Sequence, residues 1–237
     1  MTTPALAENV KGKGRHYRHP GTGELVPSVT NIIGVLNKPA LPRWAAKVVA
    51  EQAVAMRDSL PKLDEAEAVD LLKGAPWRSS TRAADRGTTI HAYLEARMQG
   101  LDPQEISGEA ARYRKAADQF LADWTPQPLH LEMTVFGPDY AGTGDLWCVL
   151  NNGATAILDY KTSKAVYAEA ALQLAALAGA TVTADGTPAP EVDEAWVIRI
   201  GEDGYEAKRV ADLYYNYAAF RACLQAWHWM NGEVVYA

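Results

Sequence analysis

The stretch Gly142–Lys164, GTGDLWCVLNNGATAILDYKTSK, constrains the fold more than any other part of the chain. Two runs rich in β-formers flank Asn151-Asn152-Gly153, the kind of loop that joins antiparallel strands. If Asn152-Gly153 alone turns the chain, residue 151 pairs with 154, and Asp145 and Asp159 face opposite sides. If all three residues form the loop, with Gly153 left-handed, 150 pairs with 154 and Asp145 falls opposite Asp159. Side-chain alternation supports the second register. Leu146, Cys148, Leu150, Ala154, Ala156 and Leu158 then share an apolar face, while Asp145, Trp147, Val149, Thr155, Ile157, Asp159 and Lys161 share the other.

Directly opposed Cβ atoms sit about 4.5–5.5 Å apart, so two carboxylates there repel unless a cation lies between them. A divalent metal supplies that charge, and Mg²⁺ commonly takes one or two carboxylates together with water and substrate phosphate. Lys161 follows Asp159 by two residues and so points to the same side, where an ammonium can orient water or steady a phosphate. The competing reading is an exposed hairpin whose Asp159 and Lys161 form a weak surface pair. Register alone does not choose between the two.

Upstream, TRAADRGTTIHAYLEARMQG reads as a helix in which Ala83/Ala84, Gly87, Ile90/His91, Leu94 and Met98 recur at helical spacing. His91 therefore lies on or beside the packed face. A histidine in that place is more often a satisfied core residue than a ligand, yet neutral imidazole binds metals well and Gly87 permits close approach of another element. Glu95, one turn later, is placed either to accept from His91 or to pair with an arginine. Glu132, within LHLEMTVFG, reads as an additional or water-mediated ligand or as a surface acid. Gln173 shares the stripe of Ala170 and Leu177 on an alanine-rich helix, and an amide there requires a partner.

Along the whole chain a largely helical front half, with a short β-ribbon around RHYRHPGTGELVPS, gives way to the order β-β-β-α-β-β-α. That order predicts an α/β fold with a helical N-terminal extension in one domain over residues 1–237, the extension covering 1–78 and the core 79–237. Residues 1–115 hold 17 Lys+Arg against 13 Asp+Glu, and residues 116–237 hold 6 against 16. A basic front and acidic back suit a protein that holds a polyanion with one part and cations with the other, and the overall net charge of −6 argues against a simple nucleic-acid coat. No apolar run approaches the roughly 18 residues of a membrane span, so no membrane partner is expected. The N-terminus lacks the order of a secretory signal, and the two cysteines, Cys148 and Cys223, form no disulfide framework. A cytoplasmic setting fits both.

The ordered set RGTTIH, GTGD, LDYKTSK and QLAAL resembles the motifs of the PD-(D/E)XK nuclease superfamily, in particular its RecB-like, phage-type exonuclease branch. The resemblance spans about residues 86–177, and SVTNIIGVLNKPALPRWAAK is similar to the N-terminal part of phage-type members. It implies a restriction-endonuclease-like core, a mixed β-sheet flanked by helices. It further implies Mg²⁺ or Mn²⁺ held by His91, Asp145, Asp159 and the Tyr160 backbone carbonyl, with Glu132 as a further candidate. Lys161 then takes the place of the catalytic lysine and Gln173 that of the motif glutamine. DNA is the implied substrate, cleaved in recombination, repair or phage DNA metabolism, in the host cytoplasm if the chain is phage-encoded. No helicase motif is present, so any helicase or recombination partner is a separate protein. Arg43, Lys47, Arg82, Arg86 and Lys164, with Arg112, Arg114 and Lys115, are candidates for holding the DNA backbone. Trp44, Trp77 and Tyr93 are candidates for stacking on bases, with core packing as the competing reading.

Two departures stand out. Leu177 occupies the place of the motif tyrosine, with Tyr167 as a candidate substitute. Two cysteines exclude the four-cysteine iron–sulfur cluster of the CRISPR-associated members. The competing class is a catalytically inactive DNA-binding module that retains the nuclease fold.

Overall fold

The hairpin takes the three-residue loop. In a computed structural model, which describes residues 4–232, Gly153 is left-handed at φ +84°, its N–H donates to the Leu150 carbonyl, and the Leu150 N–H donates to the Ala154 carbonyl. Strands β5 (Tyr140–Val149) and β6 (Thr155–Lys161) therefore pair with Leu146 opposite Leu158 and Val149 opposite Thr155, and one further step sets Asp145 level with Asp159. A glycine is required at 153 because a side chain there strains in the left-handed region.

Around this hairpin stands a six-stranded mixed sheet. Strand β4 (Gln127–Gly137) pairs antiparallel with β5, and a two-residue strand β7 (Val182–Thr183) edges β4. On the other side β6 runs parallel to β8 (Glu194–Gly201), which pairs antiparallel with β9 (Gly204–Arg209). The spatial order is β7-β4-β5-β6-β8-β9. The parallel β6–β8 step needs a crossover, which helix α6 (Glu169–Ala178) supplies.

Both faces of the sheet are covered. Trp147 and Ile157 point into a core shared with Leu174 and Leu177 of α6, Val29 and Ile32 of a short helix α1 (Val29–Ile33), and Phe220 and Leu224 of the final helix α7 (Leu213–Asn231). Leu146, Cys148, Ala156 and Leu158 point the other way, onto Phe120 and Ala117 of α5 (Arg114–Trp124) and Ile90 and Leu94 of α4 (Ala75–Met98). The second face of the hairpin, which mixes apolar residues with acids, is buried at Trp147 and Ile157, so the sheet packs on both sides, as strands within α/β layers require. The acids are exceptions set at one end of it.

Ahead of α1 the chain forms a three-stranded antiparallel sheet, β1 (Ala7–Val10), β2 (Gly14–Arg18) and β3 (Leu25–Pro27). The Ser28 hydroxyl then caps α1 by accepting from the Asn31 N–H, the role its place before an apolar run predicts. Two compact units emerge: residues 37–88, and the remainder, 1–36 with 89–237. Residues 37–88 hold α2 (Ala40–Ala55), a 3₁₀ turn, α3 (Glu65–Lys73) and the first part of α4. The first 36 residues thus belong with the sheet, whereas the sequence suggested an extension over 1–78. Among the described residues no helix is long and apolar enough to cross a membrane.

Candidate metal centre

Four elements bring the candidate residues together. Asp145 leaves β5 level with Asp159 of β6, and its Oδ2 accepts the Tyr160 N–H at 2.6 Å, which draws it toward the sheet. On β4, Leu131 pairs with Leu146 and Met133 with Gly144, so Glu132 stands level with Asp145. Glu132 has a left-handed backbone, φ +48°, in the middle of a strand that alternation alone would run straight. A non-glycine residue there costs roughly 1–3 kcal/mol and persists only where the surroundings hold it. The twist re-aims its carboxylate.

From α4, His91 completes the group. One donor atom each from His91, Glu132 and Asp145 lie within 4.8 Å of one another, and all three residues are partly buried. His91 Nε2 is 2.9 Å from the Tyr160 carbonyl, which can only accept, so Nε2 carries a proton. Nδ1 faces Asp145 Oδ1 at 3.3 Å, an ion-pair distance without the alignment of a hydrogen bond. An imidazole nitrogen and two carboxylates converging in this way are compatible with a divalent cation. The poorly aligned, buried Nδ1 is the donor such an ion would use.

Asp159 does not join that trio of converging donor atoms. Its buried carboxylate is taken by Lys161, whose Nζ lies 2.8 Å from Oδ1 and 2.6 Å from Oδ2. Lys161 also donates to Gln173 Oε1 at 3.1 Å, which answers the amide's need for a partner on α6. The Tyr160 carbonyl is occupied by His91 rather than open toward the carboxylates. The polar partners of His91 are Tyr160 and Asp145, while Glu95 accepts from Gln99 at 3.4 Å.

The electrostatics follow from this packing. Burial alone would lower the His91 pKa, but the Asp145 carboxylate outweighs it and pushes the imidazole up to about 9. Burial raises Asp145, yet His91, Lys161 and the Tyr160 N–H together hold it below the usual carboxylate range. Burial pushes Glu132 up to about 7, with Asp145 adding to the rise and His91 opposing it. Burial also raises Asp159, with Lys161 pulling against it. Lys161 is raised: burial disfavours its charge, but Asp159 and Asp145 more than offset this. The lysine is a held cation, unsuited to taking up a proton at neutral pH.

Beside Gln173 lies a cavity of about 300 Å³, lined by Arg15, Tyr17, Asn31, Thr143 and Leu177 among others. Leu177 is 2% exposed and sits where a Cβ on Gly142 would meet its Cδ2 at 2.7 Å. In the sequence, Arg15 gives no hint of this position. Thr143 gives a faint one, since it stands two residues before Asp145 and so on the same side of its strand.

Of the expected backbone-holding residues, Arg43, Lys47 and Arg82 are exposed and Arg86 is half-buried, all within residues 37–88. Lys47 pairs with Glu51 at 3.6 Å. Lys164 is exposed in the loop after β6. Trp77 is 78% exposed and Trp44 37%, whereas Tyr93 is buried, donating to Asp118 at 2.5 Å beneath Arg97 and Arg114. Tyr93 is therefore a core residue. Tyr167 is exposed.

No protein-family model matches the sequence, and no curated protein matches it. Among solved structures, an alkaline exonuclease from Laribacter hongkongensis is similar over 63% of this chain and 84% of that one, at 13% identity and a TM-score of 0.30.

Proposed function

We propose that this chain is a divalent-metal-dependent nuclease that hydrolyses phosphodiester bonds of DNA. One observation carries the reading: His91, Glu132 and Asp145 converge within 4.8 Å, and an Asp159–Lys161–Gln173 chain runs from the next strand to α6. The PD-(D/E)XK resemblance supplies the reaction class. His91, Asp145 and Glu132 would hold Mg²⁺ or Mn²⁺, with Asp159 adjacent as a further ligand. When bound, such an ion lowers the pKa of its water and neutralises phosphate charge.

The protein's own groups do the rest. Asp159 and Gln173 fix the Lys161 ammonium in place, and its raised pKa keeps it charged beside the developing negative charge of the phosphorane. The Tyr160 carbonyl holds the His91 ring by Nε2, leaving Nδ1 as the donor. The cavity lined by Gln173, the lysine's own partner, carries Arg15 on its wall, a cation that would receive a phosphate of the DNA. The exposed cations Arg43, Lys47, Arg82 and Lys164, with Arg86, would hold the backbone nonspecifically.

The test uses end-labelled single- and double-stranded DNA with the protein in Mg²⁺, Mn²⁺ or EDTA, beside Asp145→Ala and Lys161→Ala. Cleavage by the parent protein alone, lost in EDTA, is the expected result. Cleavage that persists in EDTA or in both variants overturns the mechanism, and binding without cleavage by any form favours the inactive DNA-binding module.

A further inference from the structure

Helix α7 buries one face against α6 and α1 through Phe220, Cys223 and Leu224. Its other face is open and carries no charge. Tyr214 and Tyr215 are 84% and 71% exposed at the first turn, and Trp229 and Met230 are 69% and 61% exposed at the last. Between them Ala218, Ala222 and Ala226 stand exposed at intervals of four, one alanine per turn on the same side. Besides the two tyrosine hydroxyls, Gln225 adds a neutral polar side chain to the stripe, and Arg221 is half-buried off it. A face with large side chains at both ends and alanines between is unusual on a solvated helix, where charged residues are the norm.

The order of these residues says what covers them. Positions 214 and 230, 215 and 229, and 218 and 226 are each centred on Ala222. A second copy of α7 laid antiparallel across a two-fold axis at Ala222 would bring Trp229 and Met230 to the level of Tyr214 and Tyr215, twice. The alanines would meet between them and let the helices approach closely. At about 200 Å² for an aromatic side chain, the three aromatics expose roughly 450 Å². With Met230 and the alanines the stripe offers roughly 600 Å² per copy, which reaches the lower edge, about 1,200 Å² in total, of stable interfaces. The chain carries a net charge of −6, so self-association needs an uncharged face, and this stripe is one. We propose that α7 is a self-complementary surface through which two copies of the chain pair antiparallel about Ala222.

The test is sedimentation velocity on the full chain over roughly 1–100 µM, a span that brackets a weak dimer. The expected result is a concentration-dependent species of about twice the 25.8 kDa chain mass. Ala222→Arg sets two cations on the two-fold axis and is expected to leave monomer throughout, with an unchanged circular-dichroism melt. Register is tested separately. Ala218→Glu with Ala226→Glu should abolish the dimer, and Ala218→Glu with Ala226→Lys should restore it, because 218 and 226 of different copies share a level. A single monomeric species at every concentration overturns the proposal, as does a dimer that survives Ala222→Arg or ignores the charge pattern. A monomer whose α7 face instead captures single-stranded DNA, lost in Trp229→Ala, overturns it too.

Discussion

The Tyr160 carbonyl fixes the tautomer of His91, a residue 69 positions earlier in the chain, through a 2.9 Å hydrogen bond from Nε2. The same residue's N–H donates to Asp145 Oδ2 at 2.6 Å. One residue of β6, through its backbone alone, therefore orients both a nitrogen and a carboxylate of the centre. Nδ1 is left facing Asp145, where a proton and the proposed metal would compete for it.

That competition predicts a pH dependence. In metal-free protein His91 titrates at about 9, above its ordinary value near 6.5, so its ion pair with Asp145 stabilises the fold fully below pH 6.5. The contribution is lost as pH rises through about 9. Thermal melts in EDTA from pH 6 to 10 should show Tm falling across that window, by about 2–4 °C for each kcal/mol lost in a chain of this size. His91→Gln should flatten the slope. Metal affinity in titration calorimetry should run the other way, rising toward pH 9 as the proton leaves Nδ1.

Glu132 tests whether strain is stored at the centre. Its φ of +48° suits glycine better than any side chain. Glu132→Gly should therefore raise stability in urea unfolding by about 1 kcal/mol relative to Glu132→Ala, which keeps the strain. Both variants should lose metal affinity by on the order of tenfold or more. Equal stability of the two would remove the case for stored strain.

How much of this could be read beforehand depends on the kind of constraint. The hairpin register was legible because Asn-Asn-Gly admits few loops and each demands a definite pairing; the three-residue choice put Asp145 level with Asp159, as found. His91 was legible only to the level of a helix face, since helical spacing says nothing of which ring nitrogen meets which partner. The left-handed backbone at Glu132 was not legible, because its run alternates like an ordinary strand. The edge strand β7 was missed for a related cause: two residues hold no period, and their pairing is set by β4. Glu95 left two readings open, acceptor for His91 or partner of an arginine, because spacing cannot foresee that a backbone carbonyl of β6 takes the acceptor's role.

Lys161 and Gln173 should separate by kind of defect. Gln173→Ala removes one hydrogen bond to a charged group, about 1.5–3 kcal/mol, while Asp159 still holds the ammonium. Cleavage should fall by on the order of 10–100-fold, with Tm lower by about 3–12 °C at about 2–4 °C per kcal/mol. Lys161→Met leaves the buried Asp159 without its cation, so it should abolish cleavage and also destabilise the fold at neutral pH. That loss should shrink as pH falls and Asp159 takes up a proton, because burial already raises its pKa. Chevron or urea data for both variants at pH 5 and 8, beside single-turnover rates, separate these outcomes.

The glycines of GTGD predict a structural limit on the motif. Gly144 pairs with Met133, next to Glu132, and a Cβ there would run into the ring of Trp147, which is 1% exposed, and approach Ile157 Cδ1 at 3.2 Å. The indole is the largest fully buried side chain of the sheet and has no room to yield. Gly142 differs, since a Cβ there meets the far end of the Leu177 side chain at 2.7 Å and Val29 Cγ2 at 3.0 Å rather than an indole ring. Gly144→Ala should thus cost about 1–3 kcal/mol by overpacking and Gly142→Ala less. Trp147→Phe in the Gly144→Ala background removes the offending ring edge and should recover part of the loss, an interaction read from a double-mutant cycle in urea. If the two substitutions are additive, Gly144 is there for some reason other than the approach of Trp147.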